Sequence, residues 1–376
     1  MSTADRPDTN APAASDVAGR LREADFVRLV AGATGDGAAA ATLLTRALTT
    51  LDVPYQVSVT PLPEPAARET EADLTIALGR PVVGADVTLG TADSHATHAS
   101  ASVAAECGVD DIALTLAGIV AAGDVPDERL LSVASEQGIE REPGLAIPTG
   151  EYADGLAHSL LVHCATSGDL DTAVATLDDL GLPDQLDDDA KRSVASLVAL
   201  TVAGDQQASR RAATRVERFL RPLTGGPFET IGGYADVLDA VTREQPSLGV
   251  ALGLGRADRD EVLSLWRSHA TETHRAIRAA NTGRYDGLFV AQCPDTPPVG
   301  TVARLLSEYR SPEPLTLVVA DGLAAARTVD SDTDVGEAMR TAATQVDGRG
   351  AGTETRGRAT FTVDPTEFVL AFREVL

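Results

Sequence analysis

Short apolar runs alternate with amphipathic stretches toward both ends of the chain. Residues 25–60 read as an apolar strand, a glycine-rich turn, an Ala/Leu-rich helix and a second strand. Two further strands are expected at 73–78 and around 81–89. This alternation predicts an α/β fold with a parallel or mixed sheet covered by helices.

The middle of the chain is mainly helical in pattern, and strand–helix alternation resumes near Tyr285. Pro and Gly concentrate at 222–233, which predicts a loop, and 259–281 predicts a helix long enough to bridge two domains. We therefore expect a second, smaller α/β domain at the carboxyl end. The other expected helices are 99–107, 111–122, 126–137, 155–167, 170–180, 187–220, 299–309, 334–345 and 365–376, with strands at 287–292, 315–320, 324–329 and 358–363.

A chain of 376 residues exceeds what one compact core usually serves, so two domains are expected. The polar start lacks the features of a signal peptide, and no apolar run reaches the ~20 residues that span a bilayer. We expect a cytoplasmic protein with no membrane partner. The predicted divisions are a disordered tail at 1–17, a first domain at 18–225, a helical connector at 226–282 and a second domain at 283–376.

Acidic residues outnumber basic ones, 56 to 31, which gives a formal net charge of -25. Lys191 is the only lysine, and the acidic residues are spread through every segment. This pattern is typical of adaptation to molar salt, where the Debye length falls to about 3 Å. The net charge therefore does not exclude a nucleic-acid partner, because only local contacts matter there.

Cysteine and histidine spacing gives weak indications of chemistry. Cys107 and Cys293 are isolated in apolar contexts, as expected of buried thiols in a reducing compartment. His95 and His98 could pair on a metal, or cap and solvate a helix. His163 and Cys164 could form a nucleophile pair, but core packing is favoured because no orienting partner is visible.

Five arginines, all predicted to lie in one helix, form the clearest basic cluster. A basic helical face could bind phosphates through bidentate bonds, or it could pair with acidic residues of a neighbouring helix. Both interpretations stay open. The five are Arg210, Arg211, Arg215, Arg218 and Arg221.

The turn AGATGDGAAAA after the first strand carries the most information. Its backbone could cradle a phosphate and Asp36 could hold a metal, although the turn matches neither GxxxxGK[ST] nor GxGxxG and could be purely structural. It resembles the turn that opens the DHH phosphoesterases, His-x-Asp-x-Asp-Gly, which binds two Mn or Mg ions. Asp36 and Gly37 match that motif, whereas Gly32 and Thr34 replace its other ligands.

Two more segments extend the resemblance. Asp86 is the nearest remnant of the Asp-His-His motif, so the resemblance makes Asp36 and Asp86 the remnants of the metal site. These two carboxylates cannot hold a pair of ions alone. Near the carboxyl end, VDGRGAGTETRGRATFTVD stands where the DHH-associated domain carries its glycine-rich substrate loop. The residues expected there to contact nucleic acid are Gly348, Arg349, Gly350, Arg356 and Arg358, although a solvated surface hairpin is the competing interpretation.

The resemblance, closest to archaeal RecJ-like proteins, covers residue 25 to the end. It implies a degenerate DHH domain followed by a DHH-associated domain. The favoured function is a catalytically impaired protein that binds single-stranded DNA or RNA, or a replication or repair complex, in the cleft between its domains. No cofactor is then expected. The alternatives are an active single-strand-specific 5′ exonuclease or oligonucleotide phosphoesterase that uses Mn or Mg, and a scaffold that contacts protein alone.

Overall fold

A computed structural model describes residues 12–61, 71–80, 82–90, 95–181, 183, 186–329 and 333–376 of the chain. Its two larger sheets share no strand and lie in different halves of the sequence. No helix within these residues is long and apolar enough to cross a membrane. The α/β fold class with a parallel sheet, expected from the alternation of patterns, is confirmed.

The amino-terminal sheet has four parallel strands in the order β2-β1-β3-β4. Small side chains let its covering helices approach closely: an added Cβ at Gly118 would lie 2.7 Å from the Cβ of Ala39. The elements are α1 (Ala14–Glu23), β1 (Val27–Gly32), α2 (Gly35–Thr50), β2 (Tyr55–Thr60), β3 (Leu74–Leu78), β4 (Val87–Leu89), α3 (Ala96–Glu106), α4 (Ile112–Ala122) and α5 (Glu128–Glu136).

The middle of the chain adds helices to the same core. Trp266, on the longest of them, is fully buried, and its indole N–H donates to Asp236 at 3.1 Å. The elements are β5 (Glu140–Arg141), α6 (Tyr152–His158), α7 (Leu170–Asp178), α8 (Asp188–Gly204), α9 (Ala212–Arg215), a 3₁₀ helix (Val216–Phe219), β6 (Leu223–Thr224), α10 (Ile231–Glu244), α11 (Pro246–Gly253) and α12 (Arg259–Ala279).

The carboxyl-terminal sheet has six strands in the order β11-β12-β10-β9-β8-β7, of which only β8 and β9 pair in parallel. Helices α14 and α15 cover one face with a core of their own, and α13 packs on the other face and against α12. The elements are β7 (Asn281–Tyr285), β8 (Leu288–Gln292), α13 (Val299–Tyr309), β9 (Leu315–Ala320), β10 (Leu323–Thr328), α14 (Val335–Gln345), β11 (Arg349–Thr353), β12 (Arg356–Thr360) and α15 (Pro365–Val375).

Three local predictions were wrong. The expected tail at 1–17 includes the start of α1, whose Val17 and Leu21 are buried against the core, while 1–11 lie outside the described residues. The helix expected at 155–167 ends at His158, because the following segment packs against α12 and α13 as a loop. The helix expected at 187–220 is broken between Gly204 and Ala212.

Candidate nucleic-acid interface

A cavity of about 130 Å³ lies where the carboxyl ends of β1 and β3 face the carboxyl-terminal sheet. One wall is the β1–α2 turn with the residues that follow β3. The opposite wall is formed by β10, β11, β12 and the start of α13. We call this cavity the arginine cleft, after the five arginines that line it: Arg80, Arg243, Arg327, Arg356 and Arg358.

Three of these arginines carry charges that no neighbouring carboxylate neutralises directly. Arg327, Arg356 and Arg358 are half-buried, and none of their side chains forms a hydrogen bond or salt bridge with any residue that the structure describes. They lie on adjacent strands, since Arg327 of β10 is paired with Arg356 of β12. The cleft therefore concentrates positive charge in a chain whose net charge is strongly negative.

Burial is the main cause of the lowered pKa values of these guanidinium groups. Burial, followed by repulsion from Arg243, lowers the pKa of Arg358 to about 10 against the attraction of Asp239. Burial also lowers the pKa of Arg327 to about 10, although Glu308 acts in the opposite direction. All of these groups stay protonated near neutral pH, so the cleft is cationic and suited to an anion.

Asp239 and Arg243 fix one side of the cleft. The Asp239 carboxylate accepts from the backbone N–H of Gly35, at the start of α2, and from Arg243, both at 2.8 Å. Burial acts to raise the pKa of Asp239, but Arg243 and Arg304 outweigh it and bring the value to about 2. Asp239 thus stays ionised and holds Arg243, and Arg80 donates to the carbonyl oxygen of Thr60 at 3.2 Å. Arg327, Arg356 and Arg358 are then the cations available to an anion.

Asp36 has a structural role in this arrangement. Its buried carboxylate accepts from the backbone N–H of Thr97 at 2.8 Å, from the Thr97 hydroxyl at 2.7 Å and from the N–H of Ala96 at 3.3 Å. These donors belong to the first turn of α3, so Asp36 caps that helix. The conformation of the turn also requires Gly37, because an added Cβ would collide with the carbonyl oxygen of Gly32.

The structure does not bring Asp86 together with Asp36, the other residue expected to be a remnant of a metal site. Asp86 directly precedes β4 and accepts from the N–H of Thr75 at 2.7 Å, at the amino end of the sheet. Asp36 follows β1 at the carboxyl end. In a parallel sheet these positions are opposite edges, separated by the length of the strands.

The segment predicted to be a substrate loop is a β-hairpin formed by β11 and β12. Only some of the five residues predicted to contact nucleic acid there line the cleft. Arg356 and Arg358 point into the arginine cleft, as expected of ligand contacts, whereas Arg349 is exposed and does not line it. The glycines have a packing role instead: an added Cβ at Gly348 or Gly350 would collide with a backbone carbonyl oxygen, that of Thr360 or that of Met339. The expected contact of this glycine backbone with phosphate stays a prediction.

The helical arginine cluster forms no continuous basic face. Arg211 donates to the carbonyl oxygens of Ser307, Ser311 and Glu313, and Arg218 forms a buried bidentate pair with Glu308 of α13. These contacts join the two halves of the chain. The sequence left two interpretations of this cluster open. Arg218 follows the second, because it pairs with an acidic residue of a neighbouring helix.

Three lining arginines were missed in the sequence. Arg80 lies two residues after β3, Arg243 lies in the last turn of α10 and Arg327 lies in β10, so they come from three distant segments. No motif marks them, and only their shared position in the folded chain identifies them. Their assembly depends on the docking of α13 and the carboxyl-terminal sheet onto the amino-terminal half.

Comparison with known proteins identifies the family. A relative from Haloarcula marismortui (strain ATCC 43049 / DSM 3752 / JCM 8966 / VKM B-1809), described as "Uncharacterized protein rrnAC1427", is 52% identical over 381 residues, which cover 100% of both chains. The chain belongs to the rrnAC1427 family. The model for the C-terminal domain of rrnAC1427 matches residues 280–374.

This chain is similar in fold to solved structures of CDC45 and RecJ. CDC45 from Entamoeba histolytica gives a TM-score of 0.65 at 9% identity, over 96% of this chain and 98% of that one. Exonuclease RecJ bound to manganese gives 0.52 at 14% identity, over 99% and 95%. At these identities the similarity shows the fold alone, so activity must be argued from the residues.

The residues of this rrnAC1427-family chain do not fit a two-metal centre. Among the described residues, no three His, Cys, Asp or Glu side chains are placed to hold an ion. The oxygens of Asp36 and Asp239 accept from helix N-termini and, in the case of Asp239, also from Arg243. His95, suggested as a ligand with His98, instead pairs with Asp124 at 3.1 Å, outside the cleft.

A second buried cluster lies at the junction of the two halves. His163 and His274 approach at 3.0 Å through their Nδ1 atoms, and the Nε2 of His274 lies 3.0 Å from the carbonyl oxygen of Ser159. A carbonyl can only accept, so neutral His274 donates from Nε2 and accepts at Nδ1 from His163. Burial lowers the pKa of His274 to about 3 and that of His163 well below its ordinary value.

Proposed function

We propose that this protein binds single-stranded nucleic acid through its phosphate groups in the arginine cleft and does not hydrolyse it by a two-metal mechanism. The observation that carries the proposal is the set of three guanidinium groups, Arg327, Arg356 and Arg358, that face the cleft and form no hydrogen bond or salt bridge with a carboxylate among the described residues. Guanidinium binds phosphate bidentately, and such short contacts persist where molar salt screens long-range attraction.

The shape of the cleft supports a chain-like ligand. The cavity opens onto a groove of about 630 Å³ that shares Gly79, Arg80 and residues 351–353. Farther along, Asp334, Glu337 and Glu354 line the groove beside Arg340, so the phosphate contacts are assigned to the shared part. None of the residues lining either part is aromatic, so base stacking has no platform. Binding is therefore expected to depend on the backbone phosphates and to be tolerant of base sequence.

The fold resembles that of RecJ, but the residues at the expected metal site differ. RecJ is an exonuclease whose structure was solved with manganese bound. In this chain, Gly32 and Thr34 stand in place of two ligands of the DHH turn motif, and Asp36 caps a helix. We accordingly propose a cytoplasmic protein that holds single strands, alone or within a replication or repair complex. Its three buried free thiols suit a reducing compartment.

Binding is tested by fluorescence anisotropy with labelled single-stranded DNA and RNA in multimolar KCl. Arg356→Ala and Arg358→Ala should each weaken binding by about 1–3 kcal/mol, the cost of a charge-assisted hydrogen bond. Arg349→Ala is the matched control, because it removes the same charge from the exposed side of the same hairpin. Equal losses in all three variants would show diffuse attraction and refute the cleft assignment.

Hydrolysis is tested separately on the same substrates with Mn or Mg added. We expect no cleavage above the level of a metal-free control. Cleavage that Asp36→Ala abolishes in a variant that still folds, together with tight binding of two ions in calorimetry, would instead establish the exonuclease alternative.

A further inference from the structure

A second groove, of about 580 Å³, lies on the amino-terminal half between the end of α4 and the segment that joins the 3₁₀ helix to β6. None of its lining residues lines the arginine cleft. We call it the side groove. Its apolar and basic lining residues include Val120, Val125, Arg141, Arg215, Leu220 and Arg221.

The side groove combines apolar surface with uncompensated positive charge. Val125 is 66% exposed, one of the most exposed large apolar side chains among the described residues, and Leu220 is half-buried beside it in the lining. Arg215 and Arg221 form no side-chain hydrogen bond or salt bridge within the part of the chain that the structure describes. Arg141 donates only to the carbonyl oxygen of Arg221, at 3.1 Å.

The backbone at Arg221 is strained in a way that shapes the groove. Its φ is 55°, in the left-handed region, and it precedes Pro222, which favours an extended conformation instead. The N–H of Arg221 donates to the carbonyl oxygen of Gly144 at 3.3 Å, and Arg141 holds its carbonyl. Strain of this kind costs about 1–3 kcal/mol and clusters at ligand-binding segments.

We infer that the side groove binds an acidic peptide segment of another protein, whose carboxylates pair with Arg215 and Arg221 and whose apolar side chains pack on Val125 and Leu220. Charge complementarity selects this partner: the chain is strongly acidic, and Arg215 and Arg221 lack carboxylate partners among the described residues. Bidentate guanidinium–carboxylate bonds give such a contact its specificity.

Nucleic acid fits this groove less well than a peptide does. The lining includes the carboxylates of Asp124 and Glu217, which would repel phosphates. The exposed apolar side chains would face a phosphate backbone without a partner. A peptide supplies both the apolar side chains and separate carboxylates that can avoid Asp124.

The inference is tested by selecting from a displayed library of random peptides on the full-length protein in multimolar KCl. Retained peptides should combine Asp or Glu with apolar residues, and a representative should lose at least about tenfold in affinity with Arg215→Ala. Arg221→Gly should have the same effect while preserving the fold, because glycine adopts the left-handed conformation without strain. Arg129→Ala, on the exposed surface of α5 outside the groove, is the control.

Two results would overturn the inference. One is a selection that yields no peptides, or peptides without an acidic bias, or binding that Arg129→Ala weakens equally. The other is binding of labelled oligothymidine that Arg215→Ala and Arg221→Gly abolish while Arg356→Ala does not, which would make the groove a nucleic-acid surface. The first result does not depend on the proposed function of the arginine cleft, whereas the second would refute both proposals.

Discussion

Replacing Arg358 by methionine should increase the free energy of unfolding while weakening anion binding. The guanidinium lies in the arginine cleft with no hydrogen-bonded counter-charge, and its pKa falls to about 10. A depression of that size corresponds to about 3 kcal/mol against the charged form in the folded state. Methionine removes the charge and keeps an unbranched side chain of similar length.

The expected gain is smaller than the full electrostatic cost. Arg358 is half-buried, so solvent screens part of the repulsion, and methionine forgoes some packing. We expect an increase of about 1–2 kcal/mol in the absence of ligand. The folded-state pKa lies below the unfolded one, so the cost to wild type is fully present below about pH 10 and disappears as the pH rises through the unfolded value.

The assay is urea denaturation of wild type, Arg358→Met and Arg349→Met at one KCl concentration, with and without inorganic phosphate. At about 100 times its dissociation constant, phosphate should raise the free energy of unfolding of wild type by about 2.7 kcal/mol. Arg358→Met should gain much less, and Arg349→Met should match wild type. The reasoning is refuted if Arg358→Met is destabilised without phosphate and phosphate stabilises both variants as much as wild type.

Three further predictions concern geometry, pH and the domain junction. Gly300→Ala should reduce single-strand affinity about tenfold, because the added Cβ would lie 2.7 Å from a guanidinium nitrogen of Arg358; anisotropy measures this. Lowering the pH from about 7 to about 5 should reduce the free energy of unfolding by about 2 kcal/mol for each of His163 and His274. The histidines become protonated in the unfolded state but stay neutral in the folded state, where burial lowers their pKa; denaturation at each pH measures this. Glu308→Gln should cost about 3–5 kcal/mol, because it leaves the buried Arg218 charge without its partner; thermal unfolding measures this.

Each of these predictions has a result that contradicts it. Unchanged affinity in Gly300→Ala would mean that the ligand does not use Arg358. Stability independent of pH over that range would place the histidine pair in contact with solvent. Wild-type stability in Glu308→Gln would show that the junction does not depend on its buried ion pair.

The alternation of apolar and polar residues determined the strands and helices of both ends of the chain. β9, at Leu315–Ala320, lies where its apolar run predicted it, and the parallel β1–α2–β2 unit follows from the turn that ends in Asp36 and Gly37. Arg356 and Arg358 were also identifiable in the sequence, since a resemblance to a known loop drew attention to them. For the strands and helices, local periodicity was sufficient because it reports which face of an element is buried.

Periodicity does not report which element covers that face. The tertiary packing therefore determined the remaining helix boundaries and the composition of the site. The apolar pattern at 187–220 suggested one helix, but the chain breaks at 205–211 where Arg211 binds carbonyl oxygens of α13 and the loop beyond it. Asp36 became a helix cap because α3 begins beside it. The arginine cleft depends on three arginines that sequence reasoning missed, because docking of the two halves, and no motif, brings Arg80, Arg243 and Arg327 together.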